Sequence, residues 1–345
     1  MRDDPNLDLG KIAVSLDRGY GFHVTSVSFV PIGYDLNAAV YEVLSADGAR
    51  HFLKVRFGPV DEASLAVPRA LVDHGIPNIL GPLRTRSSAL WHPLDDATRY
   101  SLSLYPFVRG ENAMVTGMSD GQWRVFGSTL RAVHDSGLEH DFADQLRVED
   151  FALPSARVVR QLLATVGETA FKSVAATRFA TFWSEHAARI ESVLARAEDL
   201  GRSLQIRPFE RVLCHADIHA ANILVGDDEQ IHLIDWDGPL IAPRERDLLF
   251  VVGSRIARVV EPREEDLFFA GYGPVTIDPA VLVYYRYERI IEDLGEIGKG
   301  VFLDPSRSEQ ARSEEAELAM SFFASGGDVD GAETVTRDRW SGTPA

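Results

Sequence analysis

Residues 211–238, RVLCHADIHAANILVGDDEQIHLIDWDG, constrain this chain more than any other stretch. Two short β-branched and apolar runs, Asn222 to Val225 and Ile231 to Ile234, flank Gly226-Asp227-Asp228, a pattern that reads as a β-hairpin. His215, Asp217, His219 and Asn222 precede the first run, and Asp235 and Asp237 follow the second. A tight hairpin brings the loop bearing Asp217 and Asn222 back beside Asp235, so several carboxylate and amide oxygens gather at one end of it. Such oxygens suit Mg2+, a hard cation usually held by one or two carboxylates together with substrate phosphates. Each of these residue types also closes ordinary turns. It is the ordered set around a hairpin that points to chemistry.

The spacing His-x-Asp-x-x-x-x-Asn, followed by Ile-Asp-x-Asp, resembles the catalytic loop and metal-binding segment of the protein-kinase-like superfamily. More narrowly, it resembles the aminoglycoside phosphotransferase family. The resemblance implies an α+β, bilobal, protein-kinase-like fold with a small N-terminal antiparallel-sheet lobe and a larger, mostly helical C-terminal lobe. It implies ATP and Mg2+ as cofactors. Asp217 would orient a substrate hydroxyl and accept its proton, while Asn222 and Asp235 would hold the metal. His215 reads as a packed, hydrogen-bonded support, because phosphoryl transfer needs positioning and charge rather than an imidazole nucleophile. A rival reading makes His215, Asp217, His219 and Asp235 ligands of Zn2+ or Mn2+ in a metallohydrolase.

Composition narrows the partners. The 345 residues have room for two lobes, each with its own core, and 45% hydrophobic with 25% charged residues places the chain among ordinary globular proteins. The formal charge, 35 − 52 = −17, repels nucleic-acid phosphates and anionic membranes and favours a cationic small molecule. A single cysteine, Cys214, excludes an intramolecular disulfide and fits a reducing compartment; at the end of an apolar run it reads as buried and inert. The start, MRDDPNLDLG, is acidic where a signal peptide is basic and then apolar. No run approaches the roughly 18 apolar residues of a membrane span. The expected location is the cytoplasm.

Along the chain, His23 to Val30, Ala38 to Leu44 and His51 to Phe57 alternate as strands of an antiparallel sheet. The connection Pro31 to Asn37, with one glycine, lies where a kinase-like fold places its phosphate-covering loop, and it reads equally as a hairpin turn. Lys54 stands in an apolar strand, where a lysine is costly unless paired. By the resemblance it contacts the nucleotide α- and β-phosphates and pairs with a helix glutamate. Glu62 is the candidate, although Pro68 would break or kink a helix starting near Asp61. Asn78 to Leu83, Ala89 to His92 and Arg99 to Phe107 are further strand candidates. The break at Tyr105-Pro106-Phe107 falls where the kinase-like hinge receives adenine, which makes Tyr105 and Phe107 cofactor-binding candidates. The expected boundaries are 1–107 for the nucleotide-binding lobe, 108–325 for the catalytic and substrate-binding lobe, and 326–345 for a loose tail.

Beyond Gly110 the period changes from two to about 3.6. Helices are expected over Asp120 to Val133, with Ser119 or Asp120 as cap, over Ala176 to Leu200, and over Leu248 to Val260. Asp247 either caps the last of these or, by the resemblance, braces the catalytic loop. Asp278-Pro279 opens another helix, on which Glu288 and Glu292 share a face with Asp293 adjacent. Two readings stand for these carboxylates: they hold a substrate's ammonium groups, or they pair with Arg286 and Arg289 on a solvated surface. The segments YYRYERIIEDL, HADIHAANILV and IDWDGPLIAPRERDLLF resemble the spectinomycin-phosphorylating branch of the family. That implies a cationic aminocyclitol or aminoglycoside as substrate, bound by Asp217, Glu288, Glu292 and Asp293, and phosphorylation that confers resistance. The alternative within the same chemistry is a kinase for another small alcohol, such as choline, a sugar or a different antibiotic.

Overall fold

The computed structural model describes residues 4–32, 37–95 and 99–333. They form two compact units, one of Met1–Arg147, Val212–Ile241 and Ile256–Gly273, the other of Val148–Arg211, Ala242–Arg255 and Pro274–Ala345. The architecture is mixed α/β, with an antiparallel sheet in the N-terminal part and helices dominating the C-terminal part.

The first unit is built on a five-stranded sheet of order β1-β2-β3-β5-β4, from Val24–Val30 (β1), Ala38–Ser45 (β2), Arg50–Phe57 (β3), His92–Pro93 (β4) and Tyr100–Pro106 (β5). A helix that the strand pattern did not announce, Leu9–Tyr20 (α1), covers one face. Asp8 accepts from the Lys11 amide at 3.1 Å to start it, and Gly21, at φ 84°, ends it in the left-handed region open to glycine. Ile12 and Leu16, four apart on α1, join Ala39, Tyr41, Val43, Leu53, Val55, Leu102 and Leu104 in one core. Complete burial of Leu53, Leu102 and Leu104 is worth about 1.5–3 kcal/mol for each side chain.

Strand alternation then assigns the other face. Lys54 lies opposite Val40 and Ser103, Arg56 opposite Ala38 and Ser101, and Phe52 opposite Tyr105. Directly opposed residues share a face, so two cations stand there with short side chains directly opposite them and the Phe52–Tyr105 pair one step along.

Several expected elements differ. Asn78 to Leu83 is not a strand: Asn78 is at φ 60°, and Ile79 makes one parallel bridge, to Leu233. Ala89 to His92 shrinks to β4. Helix Ala63–Asp73 (α2) passes through Pro68 unbroken. The proline ring is buried, and the helix forgoes only the backbone bond that residue 68 would have donated. Gly33 to Leu36, the heart of the proposed phosphate-covering connection, lie outside the described residues.

The rest of the first unit includes Gly110–Asn112 (β6), Ala113–Thr116 (α3), Asp120–His134 (α4), Val212–Cys214 (β7), the hairpin Ile223–Gly226 (β8) and Ile231–Leu233 (β9), and helix Pro262–Tyr272, called α9 below. Ser119 and Gln122 form a capping box that fixes the start of α4. Helices α4 and α9 cross at two glycines. A Cβ on Gly127 would lie 2.0 Å from the Phe268 carbonyl oxygen, and one on Gly271 1.9 Å from that of Arg124.

The second unit is helical: Ala156–Thr165 (α5), Val174–Glu185 (α6), Ala187–Gln205 (α7), Glu245–Leu248 (α8), Pro279–Leu303 (α10), Glu309–Ser321 (α11) and Asp328–Gly331 (α12). The single helix expected over Ala176 to Leu200 is two, meeting at His186, whose Nδ1 lies 3.0 Å from the Phe182 carbonyl. The helix expected from Leu248 to Val260 is not formed. After one turn, α8 gives way to turns that include Gly253 at φ 56°, and Val251 and Val252 are β-branched residues with weak helix preference. Helix α10 opens as expected, with Asp278 accepting from the Ala280 amide at 2.9 Å and Pro279 in its first turn. Of the expected loose tail, residues 326–333 are described and include α12. Among the described residues, no helix is long and apolar enough to cross a membrane.

Candidate active site

The catalytic-loop candidate leaves β7 at Cys214 and turns through Ala216, which sits at φ 72°. Non-glycine residues in that region carry strain of about 1–3 kcal/mol and persist only where surrounding bonds over-determine them. Here His215 does so. Its Nδ1 accepts from the Asp217 amide at 3.3 Å, so the proton is on Nε2, which donates to the Ile234 carbonyl at 2.9 Å. The ring, fully buried, also lies 4.4 Å from the Trp236 ring. With both ring nitrogens engaged, His215 is a brace and cannot be the metal ligand that a metallohydrolase would require.

Asp217 emerges from this brace with a side chain 41% exposed, open to a substrate. The Asn222 side-chain amide donates to its carbonyl at 2.8 Å and to its Oδ2 at 3.3 Å, and His219 Nε2 lies 3.4 Å from the same Oδ2. One carboxylate oxygen is thereby anchored. A short 3-10 turn, Ala220–Asn222, delivers Asn222 into β8, started by His219 Nδ1 accepting from the Ala221 amide. Because the nitrogen of the Asn222 amide is spoken for, its oxygen is the atom left to serve a cation.

The hairpin carries the site to Asp235. Ile223 pairs with Leu233, and the Ile234 amide donates to the Asn222 carbonyl at 3.0 Å, so Asp235 follows directly on the residue bonded to Asn222. Asp235 is itself at φ 63°, a second bend in the left-handed region. Its Oδ1 accepts from Lys54 Nζ at 2.9 Å. A run of short contacts therefore links Asp217, Asn222, the hairpin, Asp235 and Lys54. An amide oxygen and a carboxylate joined in this way are a donor set that fits Mg2+.

Lys54 has a second set of partners. Both oxygens of Asp237 accept from its ammonium, at 3.0 and 2.9 Å, and Asp237 Oδ2 also accepts from Arg56 at 2.6 Å. Burial works against the charge on Lys54, but Asp235 and Asp237 outweigh it and hold the ammonium's pKa above its ordinary value. Burial likewise pushes the Asp237 carboxyl up, and Lys54 with Arg56 more than reverses this, leaving it below the usual aspartate value. Burial, and then these two carboxylates, raise the phenol of Tyr105 on the same sheet face.

The expected Lys54–Glu62 pair is therefore corrected. Glu62 is exposed at the entry of α2, and Lys54 is held by residues 181 and 183 positions away. Tyr105 is the next-to-last residue of β5, opposite Phe52, with ring centroids 6.4 Å apart, and the Phe107 ring lies 4.1 Å beneath the Arg50 guanidinium.

In the second unit, Glu288 is not a presented carboxylate. It accepts from Arg246 at 2.6 Å, with both side chains 8% exposed, and the guanidinium stands 5.5 Å over the Tyr285 ring. Neither Arg286 nor Arg289 is the partner of Glu288 in this pair. Arg289 instead meets Asp293 at 3.0 Å, and Arg286 donates to the Val252 carbonyl at 2.6 Å. Glu292 and Asp293 are half-buried on the same helix. Asp247 is fully buried. Sequence reasoning passed over Arg56 and Arg246. The first was signalled by its place two residues beyond Lys54, on the same strand face; the second had no local signal.

A family model described as the phosphotransferase enzyme family, APH, matches residues 29–285. Among solved structures, the spectinomycin phosphotransferase APH(9)-Ia in complex with ADP and spectinomycin is similar at 31% identity, over 95% of this chain and 98% of that one, with a TM-score of 0.84. The AMP-bound complex of the same phosphotransferase is similar at 29% identity, over 96% and 100% of the two chains, with a TM-score of 0.82. Amicoumacin kinase hAmiN, solved with AMP-PNP and Ca2+, has the same fold at 15% identity, covering 96% of this chain and 94% of its own, with a TM-score of 0.62. Its sheet, its helical part and its matched span together place this chain in the phosphotransferase enzyme family, to which it belongs.

Proposed function

We propose that the chain is an ATP- and Mg2+-dependent O-phosphotransferase acting on a hydroxyl of a cationic aminocyclitol or aminoglycoside, with spectinomycin the first candidate, and so a resistance enzyme. The observation that carries this reading is the linked set of Asp217, Asn222, Asp235 and Lys54 within one unit. Similarity at 31% identity to a phosphotransferase crystallised with ADP and spectinomycin supports the substrate class.

Phosphoryl transfer asks little covalent chemistry of the protein and much positioning and charge. Asp217, with Oδ2 anchored, aligns the acceptor hydroxyl and takes its proton as the γ-phosphoryl group is transferred. Lys54 meets the phosphates once a nucleotide competes with its carboxylates. Asn222 and Asp235 would hold Mg2+, which when bound neutralises phosphate charge. The backbone at Tyr105 and Phe107 receives the adenine edge in this reading, residues 1–107 serve the nucleotide, and residues 108–325 serve catalysis and the acceptor. Glu292 and Asp293 are the proposed ligands of substrate ammonium groups, and Glu288, buried against Arg246, supports their helix. The overall charge of −17 favours such a cation.

The test is ADP release from ATP with spectinomycin, streptomycin, kanamycin and choline in parallel, for the natural chain and for Asp217→Asn. Release is expected with spectinomycin foremost and should fall by about 10²–10⁴-fold in the variant, the usual worth of a positioned general base. Equal turnover in Asp217→Asn would remove Asp217 from the mechanism. Release with choline but none of the antibiotics would reassign the substrate.

A further inference from the structure

We propose that Arg56 is a second phosphate-binding cation of this site, and that Asp237 is the internal anion that occupies Arg56 and Lys54 until a nucleotide polyphosphate displaces it. The inference rests on the phosphotransferase reading and deepens it.

Three observations carry it. First, β3 places Arg56 two residues beyond Lys54 on one sheet face, roughly 6.6 Å further along the strand. Second, both cations already converge on one oxyanion. Asp237 takes two bonds from Lys54, at 3.0 and 2.9 Å, and one from Arg56 at 2.6 Å. Such charge-assisted donors pointed at paired oxygens are what a phosphate group would meet. Third, the residues directly opposite the two cations are Ala38, Val40, Ser101 and Ser103, all small or short, so no bulky side chain stands across from either cation, and Phe52 with Tyr105 lies one step further along the same face.

Charge explains why one cation is not enough. Lys54 alone, facing Asp235 and Asp237, would leave a local charge of −1 in a chain already at −17, a poor host for a polyanion. Arg56 brings the quartet to neutrality. Asp237, with a side chain 40% exposed, is placed to swing towards water, leaving two donors for the incoming phosphates. In the absence of nucleotide, Asp237 keeps the two cations together on the sheet face.

Equilibrium binding of ADP and of adenosine to the full chain, measured calorimetrically in EDTA, tests this. Arg56→Gln should weaken ADP about tenfold, the loss of one charge-assisted bond, and leave adenosine unchanged. Arg56→Lys, which keeps the charge but not the fork, should fall between. Asp237→Asn should tighten ADP, because the competing anion is gone. Adenosine binding in each variant reports an intact site. Unchanged ADP affinity in Arg56→Gln, an equal loss of ADP and adenosine, or weakened ADP in Asp237→Asn would each overturn the proposal. Lys54→Gln separates the two levels of argument. If it leaves ADP affinity unchanged, the phosphotransferase reading fails; if it weakens ADP while Arg56→Gln does not, only the role of Arg56 fails.

Discussion

Replacing Glu288 by Gln would seal an uncompensated guanidinium inside the helical unit. Arg246 and Glu288 are each only 8% exposed and 2.6 Å apart, so water cannot take over either partner's role. Removing one member of such a pair typically costs about 3–5 kcal/mol, because the remaining charge stays desolvated. Three features bring the expected loss to the lower end of that range or just below it. Glutamine keeps the shape and one acceptor oxygen, and Arg246 retains the Tyr285 face at 5.5 Å, an interaction worth about 0.5–2 kcal/mol. Glu292 also acts on its charge. We expect Glu288→Gln to lose about 2–3 kcal/mol and Arg246→Met about 3 kcal/mol, with the double variant Arg246→Met, Glu288→Leu lying closer to the natural chain than the sum. Urea unfolding followed by tryptophan fluorescence, run as a double-mutant cycle, measures this coupling. A loss below about 0.5 kcal/mol in Glu288→Gln, the level of an ordinary surface change, would refute the buried pair and put Glu288 back beside Glu292 and Asp293 as a proposed substrate ligand.

The Lys54–Arg56–Asp237 cluster predicts a pH dependence of stability. The Asp237 carboxyl titrates lower in the folded chain than its ordinary 3.8, so its stabilisation is complete above that value and is lost as pH falls through the lower folded value. The Lys54 ammonium titrates above its ordinary 10.5, so its share is complete below 10.5 and is lost as pH rises through the higher folded value. Asp237→Asn should therefore differ from the natural chain at neutral pH, by less than about 1 kcal/mol given its solvent exposure, and should converge with it in strong acid; a constant difference down to pH 2 would contradict this. Gly127→Ala should cost about 3 kcal/mol in thermal or urea unfolding, because its Cβ would meet the Phe268 carbonyl at 2.0 Å and backbone cannot step aside. A neutral result would mean that α4 and α9 do not cross at that glycine.

What could be read from the residues alone follows from how local each signal is. The β8–β9 hairpin was legible because β-branched runs flank Gly226-Asp227-Asp228, and α10 because Asp278-Pro279 is a start signal complete within two residues. Helix α1 carried comparable marks in Asp8 and Gly21, but its polar stretches drew attention to the strands after it. The helix drawn from Leu248 to Val260 failed where Gly253 takes a left-handed turn that apolar content does not reveal. Charge pairing was the least legible. The resemblance pairs Lys54 with a helix glutamate and makes Glu62 the candidate, whereas Asp235 and Asp237 arrive through the return of a hairpin far along the chain. The Glu288–Arg246 pair, 42 positions apart, escaped for the same reason.

The two faces of β3 divide the labour of a single strand. Leu53 and Val55 answer to the core, so drift at those positions is policed by folding itself. Lys54 and Arg56, one step away on the opposite side, answer instead to the carboxylates they meet and, in the reading proposed above, to the phosphates they hold. If that reading holds, descendants of this chain can change their ligand through alternate residues of β3 without renegotiating the hydrophobic interior.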